Sequence, residues 1–353
     1  MTSLRFEGID LESGETIGWG LDDGMLTGTA RPDAVRLPGR FVLAGLVDAH
    51  AHLGIDFTSA QRPLGDPSIV ADALRSQLEA GVLLARDVGA PIGVRVGGDH
   101  DDGPHVLAAG RFLAPPGGYL PGLFEGISAE DLAEVAVAEL DANGGGWVKL
   151  VFDFPEHFSG FQDMPWSTPN YPDDIIAGLC AAVHAAGARV AAHVTGNGDA
   201  AMAIELGVDS LEHGHDVSLD SLTALGARGG AWTPTLLTVW RDALSHAPFA
   251  DHQRGHYREA LTEAGRAGVT VLAGTDSGGA GTIAEEIALL ADLGMAPRDA
   301  LAAGSWAARA YLGRPGLIAG EPADLVTYDD DPRDDPDVLK RPAAIVRKGR
   351  RIR

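Results

Sequence analysis

The 353-residue sequence predicts an α/β fold: a (β/α)8, or TIM, barrel with a small β-sandwich domain formed from both chain termini. Three observations lead there. First, one unit recurs, in which a helical run ends at Gly, a short apolar strand follows, and a polar residue closes the strand. It appears at Gly81–Asp87, Gly187–His193, Gly207–His213 and Gly268–Asp276. Gly suits the left-handed stop of a helix, and a continuously apolar strand is what a parallel sheet covered on both faces requires. Second, the candidate strands number eight, which is the number that closes a barrel. Third, the first of them runs into Asp48-Ala-His-Ala-His. An open doubly wound sheet would place a Gly-rich phosphate loop there.

In chain order, residues 1–40 are rich in turns and short alternating runs and are expected to form the N-terminal part of the small domain. Residues 41–317 are expected to form the barrel. Its strands are Phe41–His50, Val82–Val88, His105–Ala109, Trp147–Phe152, Arg189–His193, Asp209–Glu212, Ala231–Thr235 and Val269–Gly274. Helices are expected near Ile69–Ala80, Asp131–Leu140, Asp173–Ala186, Asp199–Leu206, Leu219–Ala227, Tyr257–Ala267 and Thr282–Leu293. Ser128-x-x-Asp131 resembles a capping box, and Pro172 stands where Pro fits a helix start. Residues 318–353, with Asp324-Leu-Val-Thr-Tyr and Ala344-Ile-Val-Arg, return the chain to the small domain.

Composition excludes several functions. A net charge of −23 repels nucleic acid and anionic membranes. The basic run Arg347–Arg353 alternates with apolar residues and reads as a solvated edge strand. No run reaches the roughly 18–20 apolar residues of a membrane span. The N-terminal residues lack a basic segment followed by an apolar one, so a cytoplasmic location is expected. Cys180 is the only cysteine, which rules out an intrachain disulfide and a thiolate metal cluster; it reads as a small buried filler. The partner expected is a small-molecule substrate, and a homo-oligomer is compatible with the sequence.

In a barrel of this kind the reactive groups sit where strands end. The polar residues ending the apolar strands are His50, His52, Lys149, His193, His213 and Asp276. Period-two spacing puts His50 and His52 on one side of a strand, and paired imidazoles suit a borderline metal such as zinc. The chain has only three lysines, and Lys149 is the one inside an apolar strand. Burial there favours the neutral amine, which can add CO2 to give a carbamate with two oxygens. The alternative is a buried pair with Asp153. His215 makes a second His-x-His but lies beyond the strand end and reads as a loop residue. Glu212 is expected on the face opposite His213, in a structural role, and Asp87 is a candidate supporting residue. His100, His105, His157, His184, His246, His252 and His256 carry no ligand reading.

Together these residues resemble the amidohydrolase superfamily, whose pattern is His-x-His on the first strand, Lys on the fourth, His on the fifth and sixth, and Asp on the eighth. Leu43-Ala-Gly-Leu-Val-Asp-Ala-His-Ala-His, Gly207-Val-Asp-Ser-Leu-Glu-His-Gly, Ala273-Gly-Thr-Asp-Ser-Gly and Gly320-Glu-Pro-Ala-Asp-Leu-Val extend the likeness over nearly the whole chain. The imidazolonepropionase-related, prolidase-like branch is the most similar in pattern. It implies two divalent ions, zinc by preference. His50 and His52 would bind one ion and His193 and His213 the other, with a carboxylated Lys149 bridging them. Asp276 would bind the first ion and act as base. The implied reaction is cleavage of a C–N amide bond by a metal-bridging hydroxide, on an Xaa-Pro dipeptide or an N-acyl amino acid. A mononuclear cyclic-amide hydrolase or deaminase is the alternative, though deaminases carry an acidic residue soon after the fifth-strand His and here none occurs before Asp199. A silent member serving as a binding scaffold would be expected to have lost ligands. The loop Asp153–Tyr171, with Phe154, Phe158, Phe161 and Trp166, could cover an apolar group. Tyr171, Arg241 beside Trp240, and Tyr119 are the substrate-binding candidates.

Overall fold

A computed structural model describes residues 3–56, 65–158, 167–196, 198–238, 247–276 and 282–353. The sequence rhythm becomes geometry at the glycines. Gly81, Gly187, Gly207 and Gly268 all take positive φ, from 74° to 118°, each turning the chain out of a helix and into a strand.

The barrel strands are Leu46–Ala51, Val82–Asp87, His105–Ala108 continued by Phe112–Leu113, Trp147–Val151, Arg189–Val194, Ser210–His213, Ala231–Thr233 and Thr270–Val271. Neighbours pair in parallel from the first to the third strand and again from Phe112–Leu113 to the eighth. The cylinder closes where Ala49 N donates to the Ala273 carbonyl (2.9 Å) and Asp276 N to the His50 carbonyl (2.8 Å). Asp48 reinforces this seam, accepting from Thr275 N, Thr275 Oγ1 and Gln77 Nε2. Helices fill the intervals at Pro67–Glu79, Leu132–Asn143, Asp173–Ala185, Asp199–Leu206, Leu219–Ala227, Ala247–Ala267 and Ile283–Asp292. Two more, Pro297–Ala303 and Trp306–Tyr311, follow the eighth strand and are absent from the sequence reading. Ser128 and Asp131 do bond each other, but the helix begins only at Leu132.

The expected strand Phe41–His50 is two strands. Phe41–Ala44 pairs with Leu325–Tyr328 and Leu4–Asp10 in a terminal eight-stranded sheet, and the chain crosses into the barrel at Gly45. A Cβ on Gly45 would lie 2.4 Å from the Leu83 side chain, so only Gly allows this close crossing. Strands from both termini thus make the small β-domain. Its edge is Arg350–Arg351, but Arg347 is not a solvated residue. It is buried, with its guanidinium on Asp324 and Asp99, and ties the small domain to a barrel loop. Cys180 is a buried free thiol, pushed by burial up to about 12. Among the described residues no helix is long and apolar enough to cross a membrane.

Candidate active site

The lower barrel is plugged by apolar side chains such as Val47, Leu84, Ala191 and Leu272. One charge sits among them. Arg86 is fully buried, lies 4.5 Å above the Trp147 ring, and donates to the Ala49 carbonyl, Ser210, Thr233 and, at 2.7 Å, Glu212 Oε1. Glu212 Oε2 in turn accepts from His50 Nδ1 at 2.7 Å. Burial alone would raise the Glu212 pKa, but Arg86 and then His50 bring it down to about 2, so it is a carboxylate. An imidazole facing a carboxylate at Nδ1 must carry its proton there, which leaves a lone pair on His50 Nε2.

The same logic assigns two more imidazoles. His52 Nδ1 lies 2.8 Å from the Gly89 carbonyl, which can only accept. His213 Nδ1 lies 2.8 Å from Thr235 Oγ1, whose proton is already given to the Pro234 carbonyl. Each therefore presents an unprotonated Nε2 when neutral, in the way that metal-ligating histidines are oriented by an acceptor on their other nitrogen. His193 is neutral: burial, then the charge of Lys149, holds it well below the usual histidine value, and neither of its nitrogens has a hydrogen-bond partner among the described residues.

These rings converge. The centroid separations are 5.2 Å for His50–His52, 4.9 Å for His50–His213 and 4.6 Å for His193–His213. Asp276 Oδ1 stands 3.4 Å from His50 Nε2 and 3.2 Å from His52 Nε2. The candidate ligand atoms of His50, His52 and Asp276 all lie within 4.8 Å of one another. Burial would raise the Asp276 pKa, but His50 and His52 hold it well below the usual carboxylate range. Two imidazole nitrogens and a carboxylate oxygen this close together call for positive charge among them, which a proton on an imidazole or a bound cation supplies.

Backbone strain helps to aim these groups. His213, Thr235 and Asp276, at the ends of the sixth, seventh and eighth strands, take φ values of 69°, 49° and 48°. For residues other than Gly this is costly and tends to mark functional sites. It also corrects one expectation. In strand alternation Ser210 and Glu212 face the lumen and Leu211 the helices. His213 would follow Leu211 outward, but its left-handed turn swings it back over the lumen. Glu212 and His213 therefore both serve the site, one from below and one from the rim.

Lys149 is 1% exposed, and its Nζ has no hydrogen-bond partner among the described residues. The pair with Asp153 does not form. Asp153 accepts instead from Thr195 N, Thr195 Oγ1 and Gly196 N. Burial lowers the Lys149 pKa to about 8. Asp87 supports the loop after the first strand, accepting from Leu53 N at 2.7 Å, and burial pushes it up to about 6.

Of the substrate-binding candidates, Tyr119 is at the site. Its ring packs on His193 (5.6 Å), Phe112 (5.0 Å) and Phe154 (5.3 Å), and burial, then the charge of Asp276, raises its hydroxyl pKa. Tyr171 is buried, and its hydroxyl donates to the Ile127 carbonyl. Phe161, Trp166, Trp240 and Arg241 lie outside the described residues. His215, read from sequence as a loop residue, stands beside His213, with ring centroids 5.8 Å apart, and burial pushes it down to about 4. Arg86 went unread, although an arginine in the apolar run Gly81–Asp87 carries the same signal as Lys149: a buried charge demands a partner.

If His50 holds a divalent cation, Glu212→Gln is expected to weaken its binding, probed with zinc, about 10- to 100-fold, because His50 loses the carboxylate that fixes its tautomer. A competition titration against a chromophoric chelator reads it. Unchanged affinity would mean that Glu212 only neutralises Arg86.

The comparisons agree with this geometry. The model of the amidohydrolase family matches residues 41–352. An uncharacterized protein of Mycobacterium tuberculosis is 36% identical over 361 residues, covering 98% of this chain and 95% of its own. Among solved structures, a Xaa-Pro dipeptidase with bound methionine superposes with a TM-score of 0.81 at 21% identity, covering 99% of both chains. A putative prolidase from Bifidobacterium longum gives 0.79 at 22% identity, covering 99% of this chain and 94% of its own. At such identities the solved structures speak for the fold, while the family match spans the barrel and the strand-end histidines, lysine and aspartate together: the chain belongs to the amidohydrolase family.

Proposed function

We propose that this metal-dependent hydrolase cleaves a C–N amide bond in an Xaa-Pro dipeptide or an N-acyl amino acid, using two divalent cations, zinc by ligand chemistry, and a CO2-derived carbamate on Lys149. The observation that carries the reading is a set of buried nitrogens that have no hydrogen-bond partner among the described residues, at His50 Nε2, Lys149 Nζ and both nitrogens of His193. Buried polar atoms are almost always satisfied, and the charge of Asp276 acts on Lys149 and His193 and pairs with His50. Imidazole, carboxylate and carbamate donors fit zinc. His50, His52 and Asp276 would hold one cation and His193 and His213 the other, with carboxylated Lys149 shared between them. Bound there, divalent ions acidify a water and polarise a carbonyl.

The chain's own residues supply the rest. With its pKa at about 8, Lys149 keeps a neutral fraction at physiological pH; its nitrogen adds to CO2 and loses a proton, giving an anion in place of a cation. Asp276 uses Oδ1 toward His50 and His52, so Oδ2 is the atom to accept the proton of the attacking water and return it to the leaving nitrogen. Tyr119, Phe112 and Phe154 form an apolar wall beside His52 and His193 that excludes water and receives an apolar substrate group. The likeness to a Xaa-Pro dipeptidase supports the choice of dipeptides.

The test is metal-replete protein assayed against dipeptides, N-acyl amino acids, lactones and cyclic imides, with zinc counted per chain. The expected result is amide hydrolysis at two zinc ions per chain, lost on chelation and restored by zinc with bicarbonate. Hydrolysis confined to lactones, or full activity at one ion per chain, overturns the proposal.

A further inference from the structure

The second His-x-His, His213-Gly-His215, is only half used by the proposed reaction. His215 is half-buried and stands beside His213, with ring centroids 5.8 Å apart; besides its burial, the charges of Asp216 and then Asp276 act on it. Its Nδ1 lies 3.0 Å from the hydroxyl of Tyr257. Tyr257 is fully buried on the helix Ala247–Ala267, and its ring stacks on Trp232, with centroids 6.0 Å apart and planes 8° apart. Trp232 Nε1 then donates to the His213 carbonyl at 2.8 Å. The turn between the two histidines is equally constrained. Gly214 has φ 61°, and a Cβ there would lie 2.9 Å from Leu211 and 3.2 Å from Trp232 Nε1. One edge of the His215 ring is thus clamped by packed aromatic groups, while its other edge, Nε2, meets no protein group among the described residues.

The partner in this clamp differs in kind from the others. His50, His52 and His213 hold Nδ1 against groups that accept, namely a carboxylate, a carbonyl and a hydroxyl whose proton is already given away. Those clamps leave Nε2 with a lone pair, ready for a cation. A tyrosine hydroxyl can donate, and a donor at Nδ1 leaves the imidazole proton on Nε2. His215 then has the opposite polarity: it repels a cation and attracts an oxygen.

Building on the amide-hydrolase reading, we infer that Tyr257 donates its hydroxyl proton to Nδ1 of His215 and so holds Nε2–H as a hydrogen-bond donor to an oxygen of the substrate, its carboxylate or its amide carbonyl. His215 touches the substrate and is not a metal ligand; Tyr257 is the positioning residue. The contact lies at the end of the sixth strand beside His213, and the aromatic wall begins at Tyr119, reached from His213 through His193. A substrate apolar at one end and oxygen-bearing at the other is therefore held in one direction.

The experiment uses the full zinc-loaded chain as wild type, His215→Ala, His215→Gln and Tyr257→Phe. The probes are the dipeptide or N-acyl amino acid of lowest KM in the panel above and the same compound with its carboxylate converted to the primary amide. His215→Ala should raise KM about tenfold or more, leave zinc per chain unchanged, and weaken binding by calorimetry to the same extent. His215→Gln, which keeps an N–H near the same point, should recover most of the loss, and Tyr257→Phe should fall between. A penalty confined to the acid assigns the carboxylate; a penalty on both compounds assigns the amide carbonyl. Unchanged KM and binding in His215→Ala, or the loss of a zinc ion, overturns the inference. The calorimetry separates this contact from the reaction: weaker binding by His215→Ala with no hydrolysis in any variant keeps the contact and defeats the hydrolase reading.

Discussion

Lys149→Met is expected to lower kcat/KM about a thousandfold or more and, at the same time, to leave the metal-free protein as stable as wild type or more stable. The two effects have one cause. In the metal-free chain the Lys149 amine is buried without a hydrogen-bond partner among the described residues, and an unsatisfied polar group in such surroundings costs about 1–3 kcal/mol. Methionine fills a similar volume without that cost. In the proposed metal-loaded enzyme the same position would supply an anion shared by two cations, and methionine has none to offer. A thousandfold loss corresponds to about 4 kcal/mol of transition-state stabilisation, within the several kcal/mol that metal centres supply. Steady-state kinetics, zinc per chain and urea unfolding of the metal-free protein are the measurements. A residue that merely held the fold would show the reverse, with lost stability and retained zinc. A Met variant within tenfold of wild type, still carrying two zinc ions, removes the carbamate from the account. Lys149→Ala adds a control, since the space it opens admits a short carboxylate, and acetate should restore part of the activity.

Asp276→Asn should lower kcat about 10²- to 10⁴-fold, the usual range for loss of a general base, with KM little changed and most of the zinc retained. Asparagine keeps one oxygen facing His50 and His52, where Asp276 Oδ1 now stands. It offers no atom that can take and return a proton. Loss of zinc in parallel with loss of rate would make Asp276 a ligand only. Turnover near the wild-type value would move the base elsewhere.

The fold was largely legible because its signals are local. Four helix-ending glycines and the apolar runs after them are read in windows of a few residues, and all four glycines take the positive φ that the reading required. The break at Gly45 was hidden because Phe41–Ala51 is apolar on both sides of it; the division comes from Leu83 pressing on Gly45, a contact made across the sheet. In the site, the strand-end histidines, Lys149 and Asp276 stood out as polar groups closing apolar strands. Tyr171 drew attention as an aromatic at the end of a long loop, yet packing uses its ring in the core and its hydroxyl on the Ile127 carbonyl. Glu212 was assigned by alternation, a rule that holds only while φ stays negative, and His213 breaks it at 69°.

Sequence alone determined the class of barrel and which residue types stand at its mouth, because hydrophobic periodicity and glycine stops act over short stretches of chain. The tertiary structure decided how those residues are charged and aimed. Arg86, Glu212 and His50 form one chain of contacts across the lumen, Lys149 is left without the partner that Asp153 would have been, and a carbonyl, a threonine and a tyrosine set the proton positions of His52, His213 and His215. Protonation and direction depend on neighbours brought together from distant parts of the chain, and no local pattern of residues encodes them.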